Sequence, residues 1–134
     1  MTDEEFIAGF EDCSLANGSF HHSDHVRMAF LYLSRYPALE ALQRFSASLA
    51  KFATANGKPQ LYHETITWAF LLLIRERVAR AGGQQTWTEF SASNRDLLVS
   101  KDNVLKKYYR DETLSSGLAR STFLFPDKIS ADSW

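Results

Sequence analysis

Cysteine, proline and long apolar runs are scarce in this chain of 134 residues. The single cysteine, Cys13, excludes a disulfide within the chain, and a lone cysteine is typical of proteins in a reducing compartment. The longest apolar run, Trp68–Ile74, is too short to cross a bilayer. The acidic N-terminal segment MTDEEFIAGF has no apolar stretch of the signal-peptide kind. We therefore expect a cytoplasmic protein with no membrane partner.

A surplus of charge of either sign is also missing. Fifteen basic and sixteen acidic residues give a net charge of −1. Proteins that bind nucleic acid usually carry a basic surface, so the charge balance argues against a nucleic-acid partner. Hydrophobic residues make up 45% of the chain and aromatic residues 13%, which is enough for a core and argues against disorder. The length predicts a single domain, residues 1–134.

Apolar residues recur at helical spacing along most of the chain. Thr2 and Glu5 form a capping-box pattern, which predicts a first helix over residues 2–14. Turn residues at Asn17-Gly18, Asn56-Gly57 and Gly82-Gly83 separate it from the later helices. Those helices are expected at residues 20–35, 37–55, 61–81, 87–99, 101–110 and 114–122.

The predicted fold class is therefore all-α, a compact up-and-down bundle of about five or six helices with an irregular tail at residues 125–134. Ser19 is the expected cap of the second helix, and Pro37 suits the first turn of the third. The helix at 61–81 is apolar on more than one side and is expected to be central. In the segment 101–110, Val104, Leu105 and Tyr108 are expected to face inward.

Histidines are clustered in two short segments. The sequence FHHSDHVR, residues 20–27, contains His21, His22 and His25, and the sequence YHETIT, residues 62–67, contains His63. On a helix, residues three apart lie about 60° apart and residues four apart about 40° apart, so either His22 or His21 can bind a metal together with His25. His21 and His22 lie about 100° apart and cannot easily bind together.

The apolar stripe of the same helix helps to choose between these pairs. Val26 and Ala29 lie on the side of His22 and His25, so we favour this pair as metal ligands and place His21 at the rim. Each histidine also has a plainer interpretation, as a capping residue or a hydrogen-bonded residue of the core.

With His63 added, three imidazole nitrogens would leave an open coordination position, which is the pattern of catalytic metal sites. Glu64 would then act as a base, orient a ligand, or bind the metal itself. Two histidines with Glu64 would suit non-haem iron. The expected cofactor is a divalent transition metal, zinc or iron, and Glu11 is a further candidate ligand.

Arg27 and three aromatic residues complete the candidate site. Arg27 either pairs with an acid, Glu11, Asp12 or Glu64, or binds a carboxylate or phosphate of the substrate. The aromatic side chains are expected to line a pocket or to belong to the core. They are Tyr32, Tyr62 and Trp68.

The two histidine motifs also carry a resemblance. The pattern F-x-H-x-x-H-V-R at residues 20–27, with Y-H-E-T at residues 62–65, resembles a family of small, uncharacterised bacterial all-helical proteins. The resemblance extends to Phe10-Glu11 and to residues 109–127, so it covers most of the chain. It implies an all-helical fold and supplies no activity.

The sequence therefore leaves two functions open. The favoured one is a metal-dependent enzyme for a small organic substrate, with metal held by His22, His25 and His63 and with Glu64 and Arg27 as catalytic residues. The alternative is a non-catalytic helical module that binds a small ligand or another protein and uses its histidines structurally. Either protein could form a homodimer.

Overall fold

The structure, a computed structural model, describes residues 1–15 and 20–128. No strand occurs in these residues, and the predicted all-α class is confirmed. No helix among them is long and apolar enough to span a bilayer. The α-helices are α1 (Asp3–Glu11), α2 (His22–Arg35), α3 (Ala38–Ala55), α4 (Glu64–Arg80), α5 (Trp87–Ser93), α6 (Asp111–Leu114) and α7 (Gly117–Ser121). Short 3-10 helices lie at Pro59–Leu61, Arg95–Leu98 and Val104–Lys107.

Local sequence signals set several helix ends where they were predicted. The Thr2 hydroxyl accepts the Glu5 backbone N–H and the Glu5 carboxylate accepts the Thr2 N–H, which completes the capping box of α1. Pro37 precedes α3, and Gly57 follows that helix with a φ of 74°, a conformation that glycine adopts without strain. The expected turn at Asn17-Gly18 and the Ser19 cap lie outside the described residues.

Helices α2, α3 and α4 form the centre of the bundle, and each packs against the other two. Helix α1 packs against α2 and α3, α5 packs against α2, and α7 packs against α4. The expected central position of α4 therefore agrees with its contacts. The core is rich in aromatic side chains because α1, α2 and α3 each direct large rings inward. These include Phe6, Phe10, Phe30, Tyr32, Phe45 and Phe52.

Some helices are shorter than their apolar pattern predicts. Helix α1 ends at Glu11 and Cys13 has a φ of 63°, a left-handed conformation that stops the helix before residue 14. Helix α5 ends at Ser93, because the Asn94 side-chain amide donates to the carbonyl of Phe90 and turns the chain.

The segment 101–110 also differs from the prediction. It contains only the 3-10 turn Val104–Lys107, and Tyr109 is buried whereas Tyr108 is 39% exposed. The hydroxyl of Tyr109 donates to the carbonyl of Leu124, 2.7 Å away. This contact favours burial of Tyr109. Helical spacing within the segment 101–110 could not predict the contact, because Leu124 lies outside that segment.

The C-terminal segment, residues 114–124, is hydrogen-bonded to the first turn of α4. The fully buried Thr65 hydroxyl lies 2.7 Å from the carbonyl oxygen of Ala119 and 2.8 Å from that of Thr122, so its one proton is shared between them. The same oxygen accepts the backbone N–H of Leu124 at 3.1 Å. The Arg120 guanidinium donates to the carbonyl of Gln60 at 2.6 Å. The first turn of helix α4 is therefore held by residues that lie more than fifty positions later in the chain.

We expect Thr65→Val to lower the free energy of unfolding by about 1–3 kcal/mol, because it leaves buried backbone groups of the C-terminal segment without a partner. Chemical denaturation measures the change, and amide hydrogen exchange at Leu124 should accelerate. Thr54→Val is the matched control, since the exposed Thr54 hydroxyl bonds only within its own helix. Equal losses in the two variants would contradict the proposed importance of Thr65.

Candidate functional site

A cavity of about 360 Å³ lies between α2, α3 and α4. The first turns of α2 and α4 and the end of α3 meet at one end of it, because the three helices alternate in direction. Its wall is mostly apolar. It is lined by Phe20, His22, His25, Val26, Ala29, Phe45, Leu49, Phe52, Ala53, Asn56, Lys58, Leu61, Tyr62, His63, Ile66, Thr67, Phe70 and Ile74.

His63 is the capping residue of α4 and is 6% exposed. Its Nδ1 accepts the backbone N–H of Ile66 at 3.1 Å, and its Nε2 lies 2.8 Å from the carbonyl oxygen of Leu114. A carbonyl can only accept, so Nε2 carries the proton and the ring is neutral. Burial is the main cause that lowers the pKa of His63. Both ring nitrogens are therefore occupied: Nδ1 caps α4, and Nε2 joins this helix to Leu114 in the C-terminal segment.

His22 is the first residue of α2. Its Nε2 donates to the carbonyl oxygen of Leu97 at 3.0 Å, which connects α2 to the 3-10 turn Arg95–Leu98. The ring also meets the Phe70 ring edge-on, with 5.0 Å between centroids. His22 thus lies in the cavity wall with one nitrogen already bonded to the backbone.

His25 differs from the other two histidines. The described residues offer no hydrogen-bond partner to its ring, which packs on Phe20 with 4.4 Å between centroids. Burial, and secondarily the neighbouring His22, lowers the pKa of His25 to about 4. The imidazole is therefore neutral at pH 7 and offers one donor and one acceptor at the cavity.

His21 does not join the other histidines. It caps α2, is exposed and is absent from the cavity wall. Its backbone N–H donates to the Asp24 carboxylate at 3.0 Å.

Glu64 and Arg27, the predicted catalytic residues, lie outside the cavity wall as the structure describes it. The Tyr62 hydroxyl donates to the Glu64 carboxylate at 2.5 Å. The Arg27 guanidinium donates to Asp3 at 2.7 Å and lies over the Phe6 ring, 4.6 Å from its centroid. The acid that pairs with Arg27 is therefore not Glu11, Asp12 or Glu64. Catalytic roles for Glu64 and Arg27 stay predictions.

Glu11 also has a partner away from the cavity, since it accepts the Tyr32 hydroxyl at 2.5 Å. Of the three aromatic residues considered for a pocket, Tyr62 lines the cavity. Tyr32 is buried in the core and Trp68 stacks on Phe123, 5.3 Å between centroids.

Lys58 and Asn56 belong to the cavity wall and were not singled out from the sequence. They lie at the end of α3, where Asn56-Gly57 was interpreted only as a helix stop. Their proximity in sequence to Tyr62 and His63 could have indicated this position. The connection between the two pairs of residues is too short to leave this end of the bundle.

The three histidines predicted to bind metal all line one cavity. Within residues 1–15 and 20–128, no three or more His, Cys, Asp or Glu side chains are grouped so that they could hold a metal ion. The hydrogen bonds of His22 and His63 direct ring nitrogens to the carbonyls of Leu97 and Leu114. Metal binding by these residues therefore stays a prediction.

Comparisons of the chain with protein-family models, curated proteins and solved structures gave no match. The resemblance of the two histidine motifs to a bacterial helical family accordingly stays an expectation.

The buried histidines predict a pH-dependent stability. An unfolded chain binds protons at its histidines below about pH 6.5, whereas His25 in the folded protein does so only near pH 4. The free energy of unfolding should therefore fall as the pH is lowered from about 6.5 towards 4. His63, whose pKa is also lowered, should contribute in the same direction.

Urea denaturation at a series of pH values measures this dependence. His25→Gln should weaken it, because the substituted side chain does not titrate, and the exposed His21→Gln should leave it unchanged. An identical pH profile for wild type and His25→Gln would contradict the assignment.

Proposed function

We propose that this protein is a helical ligand-binding module whose cavity holds a small, mostly apolar organic molecule. The observation that carries the proposal is the cavity itself. Ligand sites commonly enclose about 300–1,000 Å³ and combine an apolar wall with a few polar groups, and a cavity of about 360 Å³ between three central helices fits that description. The space is also much larger than the small voids of an ordinary close-packed core.

The polar groups of the wall favour binding over catalysis. His63 uses one ring nitrogen to cap helix α4 and the other to bond the carbonyl of Leu114, and His22 uses one to bond the carbonyl of Leu97. The Glu64 carboxylate is bonded by Tyr62. Histidines in these positions are parts of the scaffold, and His25 is left as the imidazole best placed to contact a ligand.

A substitution that fills the cavity tests the proposal. Ala53→Trp places a large side chain in the wall near the end of α3, whereas Ala47→Trp adds the same group at an exposed position of the same helix. The neutral fluorescent probe N-phenyl-1-naphthylamine should bind wild type and Ala47→Trp. Ala53→Trp should bind it at least about tenfold more weakly, a loss of 1.4 kcal/mol.

Circular dichroism of each variant establishes that the helical fold is retained. No binding to wild type, or equal binding to wild type and Ala53→Trp, would contradict a binding function for this cavity.

A metal-dependent enzyme for a small organic substrate is the second candidate, and one observation favours it. His22, His25 and His63 come from two helices and line the same cavity, and neutral imidazoles are the form that binds zinc or iron. A metal held by all three would require His63 to give up a hydrogen bond to Leu114 or Ile66. Each such loss costs about 1–3 kcal/mol, which zinc binding can offset.

Metal titration of tag-free protein distinguishes the two candidates. For the enzyme, isothermal titration calorimetry with Zn²⁺ should give one site per chain, and His25→Gln should remove that site. His21→Gln, which changes an exposed histidine outside the cavity, should retain it. Sub-stoichiometric binding to wild type, or binding that survives His25→Gln, would rule out this metal centre.

A further inference from the structure

The cavity wall, as far as the structure describes it, carries one charged side chain, and its charge is positive. Lys58 is the only formally charged side chain in the part of the wall that the structure describes, and no aspartate or glutamate lines it. Glu64, the acid next to His63 in sequence, is bonded by Tyr62 and lies outside the wall. The described wall therefore carries one positive charge, that of the exposed Lys58, and no lining acid neutralises it.

The polar groups are also gathered at one end. His22 and His25 belong to the first turns of α2, Lys58 follows α3, and Tyr62 and His63 precede α4. Beyond the buried Thr67, the wall further along the helices is apolar. It includes Ala29, Phe45, Phe70 and Ile74.

The helix geometry gives the length of this gradient. Ile74 lies eleven residues beyond His63, which is about 16 Å at 1.5 Å per residue. The cavity thus runs along the bundle, from a polar end to an apolar end.

We propose that the ligand is a straight-chain carboxylate. Its carboxylate lies at the polar end near Lys58 and His25, and its alkyl chain extends along α4 towards Ile74. This inference rests on the proposed binding function and narrows it to one chemical class.

Three features favour a carboxylate over a neutral or cationic head group. Lys58 attracts an anion and repels a cationic head group. The positive ends of the α2 and α4 dipoles lie at the same end of the cavity and act in the same direction. The neutral His25 ring supplies a hydrogen-bond donor, and a carboxylate is the stronger acceptor for it than an alcohol.

The alkyl chain accounts for the rest of the wall. Contact with a charged or strongly hydrated group adds no hydrophobic free energy to binding at an apolar wall. Each methylene removed from water strengthens binding by about fourfold. A homologous series should therefore bind progressively more tightly until the chain reaches the apolar end of the cavity.

Displacement of N-phenyl-1-naphthylamine from wild-type protein tests head group and chain separately, with every probe below its critical micelle concentration. Octanoate and decanoate should differ by about fourfold per added methylene. Decanoate should bind more tightly than decan-1-ol, and decyltrimethylammonium should bind most weakly.

Lys58→Gln should weaken decanoate binding by about two- to fivefold, the effect of an exposed charge pair, and should weaken decan-1-ol binding less. Lys107→Gln is the control, because Lys107 is exposed and does not line the cavity. In NMR spectra, decanoate should shift the ring signals of His25 and not those of the exposed His21.

The outcomes separate this inference from the function on which it rests. Equal binding of decan-1-ol and decanoate, both lost in Ala53→Trp, would overturn the carboxylate and leave the binding module intact. Tightest binding of the ammonium probe would overturn it as well. If N-phenyl-1-naphthylamine itself does not bind, both the module and its ligand class are wrong.

Discussion

The hydrogen-bonded ring of His63 is the constraint on which the candidate site depends. It caps the first turn of α4 through Nδ1 and reaches the carbonyl of Leu114 through Nε2, so one neutral imidazole joins the central helix to the C-terminal segment. Thr65 strengthens the same junction from the same turn of α4. Because α4 packs against both α2 and α3, the position of its first turn sets the width of the space that the three helices enclose.

That space is unusual for a bundle so rich in large aromatic residues. Protein interiors are close-packed, and a void in the core normally weakens a protein in proportion to its volume. Here Phe45 and Phe52 of α3 pack into the core and also form part of the wall, so the cavity is continuous with the core. A bound apolar molecule would restore the missing contacts, which gives the ligand-binding proposal an energetic basis.

Local signals account for what the sequence could predict. Thr2 with Glu5, Pro37 and Asn56-Gly57 set helix ends through contacts only a few residues apart, and helical spacing was sufficient for the all-α class. The sequence also singled out the three histidines that line the cavity. Their hydrogen-bond partners were not predictable, because Leu97 and Leu114 lie 75 and 51 positions away. The predicted acid partners of Arg27 were wrong for the same reason, because the observed partner, Asp3, lies 24 positions away.

The contact between His63 and Leu114 also bears on how the chain is made. A ribosome adds about 5–20 residues per second, so the carbonyl that fixes this imidazole is synthesised roughly three to ten seconds after the histidine. During that interval α2 and α3 are already complete, while the start of α4 lacks its final support. The nascent chain therefore lacks a finished cavity until Leu114 has been added.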